Sequence, residues 1–378
     1  MRQSIALAAA CLAVTLYAGT PAAARELKAS VHLPPKNDTV ANGYRPFIKY
    51  VEQRSNGDLK IKLFTGGALL GPRAAAQGVR DGVVDIGYVI VGYHPAEYPH
   101  LGAFANDMSG IGLDPVAVTA ATTEWVMLRC PDCLKDFEAQ GNIFTGASAV
   151  PGMAIMSKVK IDKPADAKGL KIRSNGSFWD EFIKSLDAVP VNVPSSEQYE
   201  ALNRGIVEAV IHVPSSMKTY SLWDMVKDVT LLDFGVYRSI NTFAINPATW
   251  RSLSTAERRI ILTSAMDANL DIAYGYGVTG AEALAASRKK GISVHAAGGA
   301  LKAKIDDFIK KANANAVQIG KTKYKIADAE QEVATVMQLS DKWQRIWEET
   351  GKDLAKFKAR AQQEIIAKVN PETFGMAP

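Results

Sequence analysis

Two stretches of this sequence run through the same order of elements, and that repetition restricts the fold more than any single motif. In the first, residues 29–33 alternate apolar and polar as a strand. A helix is expected from about Thr39 to Ser55, with Tyr44, Phe47, Ile48 and Val51 on one face. Residues 59–64 (LKIKLF) alternate again, a short helix covers about 73–80, and Gly82 ends it before a third strand over 83–89. In the second, residues 170–174 form a strand. A helix over 177–187 carries Phe178, Phe182, Ile183 and Leu186, and a strand follows over 190–193. Ser195 is placed to cap the next helix, Gly205 ends it, and 207–213 is a strand. The closing pieces match: Asp81-Gly82-Val83-Val84-Asp85 and Arg204-Gly205-Ile206-Val207-Glu208. Strands alternating with helices predict an α/β fold, a mainly parallel sheet flanked by helices. Two copies predict two lobes.

Between the units, a helix with Trp125 is expected over 113–134, then a strand over 142–148. After the second unit come a short helix over 222–225 and strands over 229–232 and 239–245. Pro247 opens a helical region, in which Leu253-Ser254-Thr255-Ala256-Glu257 looks like a fresh helix start, continuing to about Ala285. A last short strand falls on 292–294, and from Ala300 to about Lys368 the chain reads as helix. Trp343 and Trp347, four apart, read as one packed helix face rather than a ligand box.

The N-terminus has Arg2, an apolar run over 5–18 and Ala22-Ala23-Ala24, the pattern of a secretory leader cleaved after about Ala24. The mature chain is then expected to be exported and soluble. The net charge of +5 is modest and the lysines are scattered, which argues against a nucleic-acid groove. The mature chain has one cysteine pair, Cys130-Pro131-Asp132-Cys133. Zinc needs two further ligands, and no partner pair is present. A redox cysteine is expected to open a helix, whereas this pair follows a helical run. Export favours a small structural disulfide.

Arg173 ends the first strand of the second unit, just before the Asn175-Gly176 turn. In open α/β sheets ligands bind beyond the carboxyl ends of strands. A guanidinium there matches a carboxylate bidentately, although a local ion pair is the commoner use of an arginine. Other candidates sit at strand ends. His32 and Asn37 lie in the loop after the first strand, and Tyr88 and Tyr93 follow the third. Trp179 comes just after Arg173, and His212 ends the last strand of the second unit. Asn241 and Phe243 lie on an expected crossing strand, and Met153 on the entry to the second lobe. Each has a packing role as its alternative. No G-x-S-x-G, P-loop or H-E-x-x-H motif is present, and neither a cofactor nor a metal is expected.

The chain resembles the DctP-type periplasmic substrate-binding proteins of tripartite ATP-independent periplasmic (TRAP) transporters. The likeness rests on Ser55-Asn56-Gly57-Asp58-Leu59, on Phe64-Thr65-Gly66-Gly67-Ala68-Leu69-Leu70-Gly71, and on Gly82-Val83-Val84-Asp85. More specific is Pro164-Ala165-Asp166-Ala167-Lys168-Gly169-Leu170-Lys171-Ile172-Arg173, followed by Pro190-Val191 and by 197–205 (EQYEALNRG). The resemblance implies a two-lobed, type II-like binding fold. The first lobe takes 25–148 with 238–285, and the second 149–237 with about 286–325. Residues 326–378 are the C-terminal helices, and hinges lie near 145–150 and 237–241. It implies that Arg173 clamps a ligand carboxylate, that the lobes close on it, and that a membrane permease receives the ligand. Many relatives carry a second arginine on the strand entering the second lobe, where this chain has Gly152-Met153-Ala154-Ile155-Met156. Many have an asparagine roughly where His212 stands. A single charge among apolar neighbours suits a monocarboxylate with an apolar or aromatic body. The alternatives are an enzyme on the same fold, dehydratase-like, with His212 and a nearby carboxylate, or a ligand sensor. The protein is expected as a monomer, or as a dimer through the C-terminal helices.

Overall fold

The structure is a computed structural model and describes residues 24–94, 96–106, 108, 112, 114–238 and 240–376. The expected leader therefore lies outside the described residues except for Ala24. Ten strands are described: β1 (Arg25–Ser30), β2 (Leu59–Phe64), β3 (Ile86–Ile90), β4 (Ala154–Ser157), β5 (Lys171–Ser174), β6 (Val189–Asn192), β7 (Ala209–His212), β8 (Asp228–Leu231), β9 (Ile240–Ile245) and β10 (Ser293–Ala296). They form two sheets, β2-β1-β3-β9 and β10-β8-β4-β7-β5-β6. β1 runs parallel to β2 and β3, and β5 parallel to β6 and β7. The two repeated units thus have the same local order, 2-1-3. The antiparallel members are β9 in the first sheet and β4 in the second.

The likeness extends to side chains. The Lys28 N–H donates to the Asp85 carboxylate at 2.7 Å, and the Asp85 N–H returns to the Lys28 carbonyl at 2.9 Å. In the second unit the Lys171 N–H donates to the Glu208 carboxylate at 3.0 Å, and the Glu208 N–H to the Lys171 carbonyl at 2.8 Å. Gly82 and Gly205, at φ 71° and 69°, make the turn that leads into each of these acids.

Several expected boundaries move. β1 begins at Arg25 rather than at 29, because RELKAS pairs along its whole length with β2, while Val31 and Leu33 lie past its end and are buried. The helix after it starts as a wide π-helical turn, Thr39–Tyr44, and becomes α-helical over Arg45–Arg54. The strand expected over 142–148 does not form. Among the described residues, residues 143–150 bridge to β9 and its lead-in only singly, at Ile143–Ile245, Ala147–Asn241 and Val150–Tyr237. Gly146, at φ 137°, takes it off a regular ladder. Cys130 breaks the helical run after Arg129 and itself starts the helix Pro131–Ala139, with Pro131 in the first position that proline tolerates. The cysteine pair therefore does open a helix. It is oxidised to a disulfide and buried, at 1% and 0% exposure, so the sulfurs are walled off from solution thiols.

The start read at Ser254 is a capping box: Ser254 Oγ accepts from the Glu257 N–H, and Glu257 accepts from the Ser254 N–H. The helix it opens, Thr255–Lys289, packs on Arg45–Arg54 beside the first sheet and on β10 of the second, so it spans both lobes. The helix Ala329–Glu349 packs on Pro115–Glu124. Trp343 and Trp347 face inward there, against Phe357, and their indole N–H groups donate to Glu124 and Asp114 at 2.7 and 2.8 Å. Among the described residues no helix is long and apolar enough to cross a membrane.

Candidate functional site

The carboxyl ends of β3, β5 and β7 meet at a cavity of about 50 Å³. Leu33, Asn37, Tyr88, Ile90 and Tyr93 line it from the first sheet's side. Arg173, Asn175, Ser195, His212, Val213 and Tyr220 line it from the second. Val150, Met153 and Tyr237 come from the crossing segments, and Tyr276 from the long helix. The lips of the two sheets are in contact. Arg73 donates to the Asn192 side chain at 2.6 Å, and its guanidinium stands 5.8 Å from the Tyr93 ring centre. Gly176 lies against Gly92, whose carbonyl would stand 3.0 Å from a Cβ placed there.

Arg173 is fully buried. Its Nε donates to the Val193 carbonyl at 2.8 Å and its Nη1 to the Ile211 carbonyl at 3.0 Å, which fixes the fork. Nη2 has no partner at hydrogen-bonding geometry, and no carboxylate pairs with the guanidinium among the described residues. Burial lowers its pKa, with the surrounding tyrosines, Tyr93 first, opposing the fall. An uncompensated buried cation of this kind costs several kcal/mol, so the site is built to gain from an anion. A second buried arginine, Arg238, shows what burial alone does not confer. It donates to the Phe104 carbonyl at 2.9 Å beneath the helix Ala329–Glu349, away from the interlobe cavity.

His212 is neutral: burial first, and the Arg173 charge second, push its pKa well below the ordinary value. Its Nδ1 has no partner, and its ring meets Tyr220 edge-on at 5.9 Å. Asn37 is held by the Thr39 N–H at 2.9 Å and the Tyr276 hydroxyl at 3.0 Å, both donating to its Oδ1. The lining is therefore one fixed cation, neutral donors and acceptors, aromatic rings, and no Asp or Glu.

The structure brings Arg173, His212, Tyr88, Tyr93, Asn37 and Met153 to one cavity. Four expected residues lie elsewhere. His32 packs behind Tyr88, with ring centres 5.4 Å apart, because the chain turns into the interior after β1. Trp179 lies on the buried face of the helix Ser177–Ser185 and packs edge-on against Phe178, Phe182 and Phe234, lining a separate apolar space. Asn241 is buried where β9 meets Val89 and Ala147, inside the first lobe. Phe243 packs between Tyr44 and Phe47. Asn175, Tyr220, Tyr237 and Tyr276 were not anticipated. Asn175 had a signal, being the first residue of the turn after Arg173. The three tyrosines sit far apart in sequence, and only the tertiary fold assembles them.

Residues 30–315 match the family described as bacterial extracellular solute-binding protein, family 7, DctP. The chain belongs to that family. Its members are periplasmic binding proteins that take small organic acids and work with membrane permease components. This DctP-family chain is 26% identical over 196 residues to a solute-binding protein of Albidiferax ferrireducens, covering 51% of the chain and 56% of that relative. Its fold matches a marine metagenome TRAP solute-binding protein, described as specific for aromatic acids and bound to metahydroxyphenylacetate. The TM-score is 0.75 at 25% identity, over 84% of this chain and 99% of that one. It also matches the TRAP solute-binding protein of Rhodoferax ferrireducens T118, solved with copurified benzoate, at a TM-score of 0.76, 20% identity, and coverage of 85% and 99%.

Proposed function

We propose that this protein is exported behind a leader cleaved near Ala24, captures a small monocarboxylate with an apolar or aromatic body, and delivers it to a TRAP permease. The observation that carries the proposal is Arg173: a buried, rigidly held guanidinium beside an interlobe cavity, with Nη2 meeting no carbonyl and no carboxylate of its own. A ligand carboxylate accepting from it forms charge-assisted bonds of about 1.5–3 kcal/mol each. One cation matches one carboxylate. Met153 lies in the stretch where many relatives carry a second arginine, and it is uncharged; His212 is neutral as well. The aromatic-acid complex of the metagenome relative supports the same ligand class. Capture proceeds by rotation of the lobes about the paired segments 145–150 and 237–241, with ligand favouring the closed state by its higher affinity for it. An enzymatic dehydration requires an acid–base pair, and the lining offers His212 without a carboxylate beside it.

The test is a thermal-shift screen of mono- and dicarboxylates, aliphatic and aromatic. Ligand at about 100 times its Kd stabilises the fold by ~2.7 kcal/mol. Aromatic monocarboxylates are expected to raise the midpoint, and Arg173→Ala to abolish the rise while the protein still melts cooperatively. Arg173→Lys keeps the charge but loses the fork, and should weaken binding at least about tenfold. Hits confined to neutral sugars, or unchanged affinity in Arg173→Ala, would sink the assignment.

A further inference from the structure

The cavity around Arg173 is too small for the ligand body proposed above. At about 50 Å³ it has room for a carboxylate and little more. A benzene-sized ring occupies a cavity of roughly 150 Å³. A second space adjoins it, about 20 Å³, lined by Ala105, Met108, Phe178, Trp179, Phe234 and Val236 among others. Met153 and Tyr237 line both spaces, so these two side chains form the partition. Met153 is unbranched and can fold aside through three rotatable bonds at little cost. It sits just before β4, at the junction of the two lobes, and is buried at 4% exposure.

Beyond the Tyr237 partition, the side chains lining the second space are apolar except for one group. The Trp179 indole is buried, and its Nε1–H has no partner. A buried indole N–H ordinarily finds an acceptor. Here the ring is gripped on its faces and edges by Phe178, Phe182 and Phe234, which supply none.

Resting on the carboxylate assignment for Arg173, we infer that Met153 is a gate that determines ligand length. The ligand carboxylate binds Arg173, its ring displaces Met153 and enters the Phe178–Phe234 space, and an oxygen at its far end accepts from Trp179 Nε1. The substrate class is an aryl-alkyl monocarboxylate with a distal hydroxyl or carbonyl. Trp179, which does not reach the carboxylate, thereby acts on the opposite end of the same molecule.

The experiment is titration calorimetry with benzoate, 3-phenylpropionate and 3-(4-hydroxyphenyl)propionate. The wild type should rank the hydroxylated compound first and benzoate last. Met153→Ala removes the partition and should shift the affinity ratio of 3-phenylpropionate to benzoate by about tenfold toward the longer acid. Met153→Phe, which plugs the passage, should shift it the other way. Trp179→Phe should shrink the preference for the hydroxylated over the plain phenylpropionate by about fivefold, the worth of one neutral hydrogen bond. Ratios that stay the same in all three variants overturn the gate while leaving Arg173's role in place. Failure of every carboxylate to bind the wild type removes both.

Discussion

His32 has the residue type a binding site uses, and its environment shows why type alone misleads. It is 3% exposed, neither ring nitrogen has a partner, and burial pulls its pKa from 6.5 to about 4. The unfolded chain takes up a proton below pH 6.5, whereas the folded protein resists until about pH 4. Stability from this group is therefore full above pH 6.5 and is lost as pH falls toward 4, by up to about 3 kcal/mol. His212, depressed in the same direction, adds to that slope. Urea unfolding of wild type and His32→Leu between pH 4 and 7.5 should show the variant losing clearly less stability on acidification; parallel curves would place His32 in a more solvated setting. Arg173 was legible because strand end, residue type and following turn agree. His32 shares only the first two and Asn241, near the amino end of β9, only the residue type, and whether a side chain at a strand end meets ligand or core depends on which way the chain turns next.

The repeated unit was readable in the sequence down to its closing acids. Asp85 and Glu208 stood out as a matched pair, and each is tied to a lysine on the central strand of its own unit, Lys28 on β1 and Lys171 on β5. Periodicity did less well where tertiary contacts choose the geometry, as in the segment over 142–148, whose alternation is real but whose pairing is interrupted at Gly146. The turn after β5 carries a sharper constraint. Gly176 has φ 141°, and a Cβ there would stand 3.0 Å from the Gly92 carbonyl of the facing lobe. An alanine at such an angle costs about 1–3 kcal/mol and pushes the lips apart. Gly176→Ala is expected to weaken ligand binding at least about tenfold and to erase the ligand-induced decrease in radius of gyration by small-angle scattering. Undiminished compaction would mean that the Gly92–Gly176 contact does not limit closure.

Two α/β halves, one helix long enough to lie across both, and a C-terminal helix pinned by Trp343 and Trp347 make up the molecule. The two repeated units at their centres were legible because each is local in sequence. The cavity was only half legible, since Tyr220, Tyr237 and Tyr276 arrive from segments that no local pattern links. Both carbonyls that grip Arg173, those of Val193 and Ile211, belong to the second sheet's lobe. The cation is thus positioned before the first lobe takes any part, which sets an order in time. Under the role proposed for Arg173, ligand lands on an already formed half-site at a rate governed by diffusion and charge, and the first lobe then determines how long it stays. Stopped-flow fluorescence should give an association rate that falls with added salt in wild type and in Gly176→Ala alike, with the variant's defect confined to a faster release. A slower association in Gly176→Ala would mean that the first lobe helps to receive the ligand. For a family whose members work with membrane permease components, residence time is then adjustable at the lips without touching the residue proposed to read the charge.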